Sequence, residues 1–414
     1  MALMGKLDGP FGTDRPAAIR AGGTSSPEPQ GVLTGVLVSI VVPCLNEELC
    51  IGEFVDWCHE GLAKAGVTGE VLIVDSSTDR SPEIAEQHGA RVLRVPRRGL
   101  GRAYIDAIPA IRGRYVIMGD CDLTYDFREL CDFIEKLRQG HEFVMGSRFQ
   151  GQIEDGAMPS LHRYFGTPLT TWILNLIYGS RFSDIHCGMR AITREALLRI
   201  NLESQAWEYA SEMVSKAASM RLRTTEVPVR FYRDREGRVS HHKRTGWLSP
   251  WLAGWSNLRA MFLYAPDFFL VRPGWWMFLP GLLLTLSLVA GPISVYGVVL
   301  NLHWMLLGVT LTVAGYNAIL LGMITRVFYS FNPAASQRLA NLLTYNRGVI
   351  GGSLLGLIGI GLNSTLVYTW IRNDFRLSEL NHPGVFGLLL IVMGFQTFTS
   401  TLVFQMIVQR HGRA

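Results

Sequence analysis

The sequence lacks a CxxC pair, although its 414 residues include six cysteines. Structural zinc sites commonly draw two ligands from such a pair, so its absence argues against a zinc site. All six cysteines precede the long apolar runs of the chain, and we interpret them as reduced thiols of a cytosolic domain. They are Cys44, Cys50, Cys58, Cys121, Cys131 and Cys187.

A long basic tract is also absent. The formal net charge is +5 and the isoelectric point is near 8.9, but Lys and Arg are dispersed along the chain. No nucleic-acid-binding module is recognisable, so nucleic acid is not a predicted partner. A basic balance of this kind fits a protein that lies against anionic lipid.

Charged residues are scarce in the C-terminal part. They make up 18% of the chain, against about 25% in typical soluble domains. Four apolar runs occupy residues 275–299, 304–328, 349–371 and 385–408, and each exceeds the roughly 20 residues that cross a bilayer. Buried helices of a large soluble protein are the alternative, but such long runs are rare in soluble cores. We therefore predict a multi-pass integral membrane protein with a four-helix transmembrane domain over residues 273–410.

The charges of the loops predict the orientation of these spans. The second-to-third loop carries Arg326, Arg338 and Arg347 without an acid, and the tail carries Arg410 and Arg413. Because basic loops stay on the cytosolic side, we expect this loop, the C-terminus and the soluble part to face the cytosol. Residues 1–35 are rich in Gly, Pro, Ser and Thr without an apolar run, which predicts a disordered tail and no signal peptide.

Short apolar runs alternate with helix-like segments from residue 36 to about residue 245. Residues 38–43, 70–75, 90–95 and 115–118 are typical of strands. This alternation predicts an α/β domain with a largely parallel, Rossmann-like sheet. Asn46, Asp75 and Asp120 each follow a strand, and ligands of such sheets bind beyond the carboxyl ends of the strands.

An aromatic segment joins the two parts. Trp247, Trp251, Trp255, Leu258 and Phe262 recur at spacings of four, four, three and four, which places them on one helical face. We predict amphipathic interface helices over residues 246–272 that lie in the membrane surface. The alternative is an ordinary helix packed on the soluble domain.

Two carboxylates close the fourth predicted strand. Asp120 and Asp122 flank Cys121, and at a strand exit both can point into one pocket. There they can hold Mg²⁺ or Mn²⁺ against a diphosphate. A solvated loop is the alternative, because such tripeptides are common by chance.

Five segments in a fixed order give that tripeptide its context. They are VVPCLNEE at residues 41–48, VDSSTD at 74–79, GLGRA at 99–103, GSRF at 146–149 and GMR at 188–190. Together they resemble family 2 glycosyltransferases, and within these the dolichyl-phosphate-mannose and polyprenyl-phosphate glucose synthases. The resemblance implies a catalytic domain of GT-A type over residues 36–245 that binds a nucleotide-sugar.

The resemblance also implies roles for single residues on the donor side. Asp75 would contact the base or the ribose, and Asp120 and Asp122 would bind the metal and the diphosphate. The implied nucleotide-sugar site comprises Pro43, Asn46, Glu47, Asp75, Ser77, Gly101, Asp120, Cys121 and Asp122.

On the acceptor side the resemblance is looser. Arg148 would lie near the donor or acceptor phosphate, since guanidinium grips phosphate oxygens bidentately; a surface salt bridge is the alternative. Glu212 either orients the acceptor or is an ordinary helix acid. The implied catalytic set is Asp122, Arg148 and Glu212, and the implied acceptor and diphosphate set is Arg148, Arg190, Arg235, Ser240, Lys243 and Arg244.

Two segments depart from the family pattern. Val239 and the paired His241 and His242 interrupt the R-x-x-G-x-S-K spacing, so Arg235, Lys243 and Arg244 compete for the diphosphate. Residues 184–190 read D-I-H-C-G-M-R where the synthases carry a Thr/Ser-Gly-Phe-Arg stretch. His186, Cys187 and Met189 predict a somewhat different acceptor or sugar pocket.

These features predict inverting transfer of a hexose from GDP-mannose or UDP-glucose to a polyprenyl phosphate at the cytosolic membrane face. A phosphate monoester is mostly dianionic at pH 7, so the enzyme needs positioning and charge neutralisation rather than a strong base. One alternative is a processive polysaccharide synthase, whose Q-x-x-R-W segment is absent; another is transfer to a different lipid. A lipid-linked sugar transporter is disfavoured by the few charges inside the spans.

Overall fold

Seven strands form one sheet in the soluble part of the chain. The structure, a computed structural model, describes residues 35–235, 237, 255, 258–259, 261–262, 264–329, 333–374 and 381–411. The strands are β1 Val38–Cys44, β2 Gly69–Asp75, β3 Arg91–Arg94, β4 Tyr115–Met118, β5 Phe143–Ile153, β6 Arg190–Thr193 and β7 Thr224–Phe231.

The sheet is largely parallel, as predicted. Its spatial order is β3-β2-β1-β4-β6-β5-β7, and β6 alone runs antiparallel to its neighbours. Strand β1 pairs with β2 and β4 in parallel and is buried along nearly its whole length. Near-continuous apolar runs such as VSIVVPC are typical of strands buried on both faces. The carboxyl ends of β1, β2 and β4 therefore lie side by side.

Seven helices connect these strands. They are α1 Ile51–Lys64, α2 Ser81–Gln87, α3 Leu100–Ala107, α4 Cys131–Arg138, α5 Thr167–Tyr178, α6 Arg194–Ile200 and α7 Tyr209–Ser219. A single turn of π-helix, His162–Gly166, leads into α5. Buried residues of the strands and helices share one hydrophobic core.

Among the described residues, four helical segments are long and apolar enough to cross a membrane. They cover Asp267–Ser287, Leu302–Tyr329, Tyr345–Arg372 and His382–Gln409. The C-terminal helices are α8 Arg272–Ser287, α9 Leu302–Tyr329, α10 Pro333–Leu342, α11 Tyr345–Arg372 and α12 His382–His411. The prediction of four long apolar helices in the C-terminal part is therefore confirmed.

The first predicted span is wrong in its second half. Helix α8 ends at Ser287, and residues 293–300 form a hairpin of β8 Ile293–Val295 and β9 Val298–Leu300. Tyr296 and Gly297 form its two-residue turn with φ of 50° and 82°. Positive φ at both positions matches the right-handed twist of a hairpin. Apolarity alone suggested a longer helix, but the β-branched residues around this turn favour strands.

Glycines let the membrane helices approach closely in two pairs. A Cβ at Gly315 of α9 would lie 2.4 Å from the Phe278 backbone nitrogen of α8. A Cβ at Gly352 of α11 would lie 2.8 Å from the Gly394 oxygen of α12. Small residues at such contacts allow the backbone packing that drives helix association in lipid.

Several predicted segments are not open to comparison. Residues 1–34 of the predicted tail, Ser240, Lys243 and Arg244 lie outside the described residues, and so do residues 246–254, 256–257, 260 and 263 of the predicted interface segment. Within that segment, Met261 is buried and Asp267–Val271 forms a π-helical turn that continues into α8. The domain boundaries stay predictions.

Candidate functional site

The β1–α1 loop is fixed to the end of β2 by hydrogen bonds. The Asn46 backbone N–H donates to Ser77 Oγ at 2.8 Å, and Thr78 N–H donates to Asn46 Oδ1 at 2.9 Å. Asn46 has φ of 58°, a left-handed conformation that Asn tolerates better than most residues. Glu47 is buried, and its N–H donates to Ser81 Oγ at 2.9 Å. Asn46, Glu47 and Ser77 thus shape one rim of the sheet edge.

Asp75 ends β2 with one buried carboxylate oxygen that has no hydrogen-bond partner among the described residues. Its Oδ2 accepts from Ser77 N–H at 3.1 Å and from Arg94 Nη1 at 3.2 Å. Its Oδ1 is buried without a hydrogen-bond partner among the described residues. A buried unsatisfied acceptor costs about 1–3 kcal/mol, which a donor group on a base or ribose would recover. Asp75 lines a cleft of about 420 Å³ together with Ser76, Ser77, Arg94, Val95, Pro96 and Arg97.

The acidic tripeptide, residues 120–122, follows β4, which pairs with β1 on the side opposite β2. Asp122 Oδ1 accepts from the N–H and Oγ1 of Thr124, at 3.1 and 2.5 Å, and Leu123 between them has φ of 62°. The carboxylate of Asp120 lies against Gly188, where a Cβ would come within 2.4 Å of Oδ2. Both aspartates are partly exposed. The chain therefore turns sharply after β4 and keeps both carboxylates at the surface.

Cys121 points the other way. It is buried, and its thiol donates to the Pro43 carbonyl at 3.4 Å. A hydrogen bond with Cys44, together with burial, raises the pKa of the Cys121 thiol well above its usual value. A protonated thiol is a poor metal ligand. The contact between the Cys121 thiol and the Pro43 carbonyl joins the end of β1 to the residues that follow β4. Roles for Cys121 and Pro43 in nucleotide binding stay predictions.

The donor set at this edge fits a hard divalent cation. Across the described ranges, no group of three or more His, Cys, Asp and Glu side chains could hold a metal by itself. Mg²⁺ is commonly held by one or two carboxylates together with substrate phosphates. Asp120 and Asp122 supply such carboxylates beside the cleft, and they are the residues that would hold the ion.

Gly101 and Glu212 belong to one structural unit beside the cleft. Glu212 is fully buried, and its carboxylate accepts from Glu203 N–H at 2.9 Å and Ser204 N–H at 2.8 Å. Lys216 Nζ lies 2.5 Å from the same carboxylate. The loop held in this way closes on α3, where a Cβ at Gly101 would lie 2.2 Å from the Ser204 carbonyl. These contacts are structural, and direct roles for Gly101 and Glu212 in binding or catalysis stay predictions.

Arg148 forms a buried ion pair with Asp184. Its Nε and Nη2 donate to the two oxygens of Asp184 at 2.7 and 2.8 Å. Burial opposes both charges, but the hydrogen bonds between the two groups outweigh it and hold the pKa of Asp184 below its usual value. The positive charge of Arg148 is thus compensated within the protein, and its contact with a phosphate stays a prediction.

The remaining predicted arginines lie in different surroundings. Arg190 is 1% exposed, and its guanidinium donates to the Cys187 and Ala210 carbonyls at 2.7 and 3.3 Å. It thereby braces the loop that carries Gly188, and its contact with an acceptor stays a prediction. Arg235 is exposed and reaches Glu53 of α1 at 2.7 Å, near the β1–α1 loop.

Comparison with known proteins decides the family. Residues 39–200 match the glycosyl transferase family 2 domain, and residues 324–408 match the glycosyltransferase family 2 C-terminal transmembrane region. The low-salt glycan biosynthesis hexosyltransferase Agl6 of Haloferax volcanii is 35% identical over 87% of this chain and 86% of its own. The chain belongs to glycosyltransferase family 2.

Two further similarities cover about half of this glycosyltransferase. The dolichyl-phosphate hexose transferase of Haloferax volcanii is 32% identical over 48% of this chain and 84% of its own. The crystal structure of glucosyl-3-phosphoglycerate synthase from Mycobacterium tuberculosis is 19% identical, with a TM-score of 0.43 over 56% of this chain and 80% of its own.

Sequence reasoning missed three residues that shape the site of this glycosyltransferase. Arg94 covers Asp75 from the end of β3, and the rule that ligands bind at strand ends could have found it. Asp184 and His186 lie in a segment noted only for its departure from the family. Their partners, Arg148 and Thr170, are 36 and 16 residues away, and no local pattern reveals such pairs.

Proposed function

We propose that this glycosyltransferase moves a hexose from a nucleotide-sugar onto a polyprenyl phosphate, with inversion, at the cytosolic membrane face. The observation that carries the proposal is the sheet edge that holds both the buried, unpaired oxygen of Asp75 and the Asp120–Asp122 pair. The four candidate spans support a lipid acceptor. The names of the two Haloferax relatives, a hexosyltransferase and a dolichyl-phosphate hexose transferase, support the sugar and acceptor classes.

The transfer needs no strong base. An oxygen of the acceptor phosphate attacks the anomeric carbon and forms a C–O bond. The bond from that carbon to the nucleotide diphosphate breaks, and its electron pair leaves with the diphosphate. A phosphate monoester is mostly dianionic at pH 7, so no proton has to be removed, and the protein's task is positioning and charge neutralisation.

The residues of this chain divide that task. Asp75 lines the cleft, and its unpaired Oδ1 is the acceptor for a donor group of the base or ribose once the donor is bound. Asp120 and Asp122 face the diphosphate, where a bound divalent ion would neutralise the charge of the departing nucleotide. Arg235 and the basic residues that follow it stay the candidates for the acceptor phosphate.

The contacts of Glu212 favour a phosphate acceptor over a lipid hydroxyl. A hydroxyl acceptor needs a general base, and an acid such as Glu212 would have to serve as that base. Its carboxylate is already held by two backbone N–H groups and by Lys216. Acting as a base would require breaking these buried contacts.

The test is lipid labelling by the full-length protein in proteoliposomes. Radiolabelled GDP-mannose and UDP-glucose are supplied separately with a short polyprenyl phosphate and Mg²⁺ or Mn²⁺. We expect one donor to label a mild-acid-labile lipid. Asp122→Asn should lower the rate at least about a hundredfold, the usual effect of removing one electrostatic stabiliser of a transition state.

Asp132→Asn is the matched control, because Asp132 is exposed in the first turn of α4. It should keep the wild-type rate. An unlabelled lipid fraction with every donor would reject the proposed acceptor. A wild-type rate for Asp122→Asn with metal present would reject the role of that carboxylate.

A further inference from the structure

The membrane helix α9 packs on two helices of its own copy. Gly308 and Gly315 face α8, where a Cβ at Gly308 would lie 2.7 Å from Thr285 Oγ1. On a neighbouring face of α9, Tyr316 Oη lies 2.7 Å from Thr397 Oγ1 of α12. These two contacts leave a third side of α9 for other partners.

That third side is exposed and carries a regular repeat. Leu307 is 46%, Leu321 45% and Phe328 52% exposed. They belong to a set with successive spacings of four, three, four, three, four, three and four, which is the 3.5-residue period of a coiled coil. At 100° per residue the set falls within about 100° of one side of the helix. This α9 seam comprises His303, Leu307, Thr310, Ala314, Asn317, Leu321, Ile324 and Phe328.

Asn317 is a polar residue in the middle of the α9 seam. Its side chain is exposed, and it lies between one and two residues from the midpoint of the helix Leu302–Tyr329. That offset is about 2 Å along the axis at 1.5 Å per residue. The hydrocarbon core extends about 15 Å to either side of its centre, so this short side chain cannot reach the headgroups. Its carboxamide therefore faces the apolar core of the bilayer.

The carboxamide of Asn317 has no hydrogen-bond partner among the described residues of its own copy. Other polar side chains of the spans bond to their own helix. Asn363 Nδ2 donates to the Gly359 carbonyl at 3.0 Å, and Thr310 Oγ1 donates to the Leu306 carbonyl at 2.8 Å. An amide without a hydrogen bond is unfavourable in an apolar medium. An exposed, unpaired amide at this depth therefore indicates a partner.

A second copy of this chain is the partner that fits the α9 seam. Two copies share one orientation in the membrane, so their α9 helices run parallel and present the same residues at the same depth. A carboxamide contains both a donor and an acceptor. Two Asn317 side chains related by a two-fold axis can therefore hydrogen-bond to each other. The 3.5-residue period keeps the flanking Ala314 and Leu321 in contact along a left-handed crossing.

We propose that α9 of one copy packs on α9 of a second copy along the α9 seam, with the two Asn317 carboxamides hydrogen-bonded across the interface. The protein is then a parallel dimer in the membrane, and both catalytic domains lie on the same side. The dimer does not rest on the proposed transfer reaction, because its contacts belong to the membrane part of the chain.

Disulfide cross-linking of the full-length protein in proteoliposomes tests the contact. In a Cys131→Ser background, which removes the exposed native thiol, Leu321→Cys is oxidised with copper phenanthroline in a large excess of lipid. Leu354→Cys is the matched control. Leu354 is 56% exposed on α11, and it lies at a similar distance from the midpoint of its helix.

We expect a covalent dimer from Leu321→Cys and only monomer from Leu354→Cys. Absence of the dimer in Leu321→Cys would overturn the proposal, because it would place lipid or a different protein on the α9 seam. Equal dimer yields from the two variants would also overturn it, because they would indicate random collision.

Energy transfer between labelled copies tests the role of Asn317. Donor and acceptor dyes are attached to Cys131, and transfer is followed while the protein is diluted with lipid. Asn317→Leu should raise the dissociation constant in the bilayer about tenfold, which corresponds to about 1.4 kcal/mol, as expected for an interhelical hydrogen bond. Asn317→Gln keeps the carboxamide and should stay close to the wild type.

Thr365→Leu is the control for this measurement, because it removes an exposed polar side chain of α11. It should leave the dissociation constant unchanged. An unchanged dissociation constant in Asn317→Leu would overturn the role of the carboxamide. Absence of energy transfer in the wild type at every dilution would overturn the dimer itself.

Discussion

Breaking the Arg148–Asp184 pair on one side should destabilise the catalytic domain strongly. Asp184 is 0% and Arg148 8% exposed, and three hydrogen bonds of 2.7–3.1 Å join the two residues. Asp184→Asn keeps the shape of the side chain and leaves the guanidinium buried with an incomplete partner. Removing one member of a buried ion pair costs about 3–5 kcal/mol. That cost is a large fraction of the total stability of a domain.

The assay is urea unfolding of the full-length protein in detergent, followed by circular dichroism. Arg148→Met combined with Asp184→Leu should cost less than the two single changes added together, because neither charge is then left unpaired. Arg199→Ala is the matched control: its pair with Glu142 is exposed, and such pairs contribute about 0–1 kcal/mol.

The same variants decide between two roles for Arg148. If the pair is structural, Arg148→Met should lose stability, and the double variant should recover part of it. Loss of transfer by Arg148→Met at unchanged stability would refute the structural role and place the guanidinium at a phosphate. A change below about 0.5 kcal/mol in Asp184→Asn, the range of ordinary surface substitutions, would refute the reasoning about burial.

Two further predictions concern the membrane helices and the cleft. Gly352→Ala should destabilise the α11–α12 pair, because its Cβ would lie 2.8 Å from the Gly394 carbonyl oxygen. Gly351→Ala is the control: its Cβ would meet nothing within 4 Å, and the change should be neutral or up to about 1 kcal/mol stabilising. Equal melting temperatures of the two variants would contradict this prediction. Asp75→Ala should weaken donor binding by about 1–3 kcal/mol through the lost hydrogen bond, measured as donor Kd by calorimetry, and an unchanged Kd would show that Oδ1 meets no ligand.

The sheet and the strand-end acids were predictable because their signals are local. Apolar runs of four to seven residues ending in Asp75 or before Asp120 indicate both a strand and the edge at which it ends. The partners of the buried side chains were not predictable. Asp184 follows Arg148 by 36 residues, and only the fold brings them together. The sequence therefore indicated which residues carry charge but not which charges are compensated.

The exposed apolar residues of α5, Leu169, Trp172 and Leu176, show a second kind of failure, in which the signal was present but ambiguous. Seventeen residues without charge, 164–180, are evident in the sequence. Both the inner and the outer side of the helix are apolar, so no amphipathic period separates them. The run is also shorter than a span. The prediction for residues 293–300 was wrong for the opposite reason. The strands of this hairpin are apolar, so the sequence suggested that the preceding span continued through them.

One buried carboxylate connects the start of α3 with the segment that precedes the first candidate span. Glu212 holds the backbone of Glu203 and Ser204, whose loop closes on the first turn of α3. Lys216, the partner of Glu212, lies 5.2 Å from the ring centre of Tyr264, three residues before the first candidate span. Glu212 and Lys216 together support the contact with α3 and the contact with Tyr264. We therefore expect loss of Glu212 to disturb both contacts at once. Inactivity of a Glu212 variant would therefore not identify this residue as a base, and only a variant that kept its stability could do so.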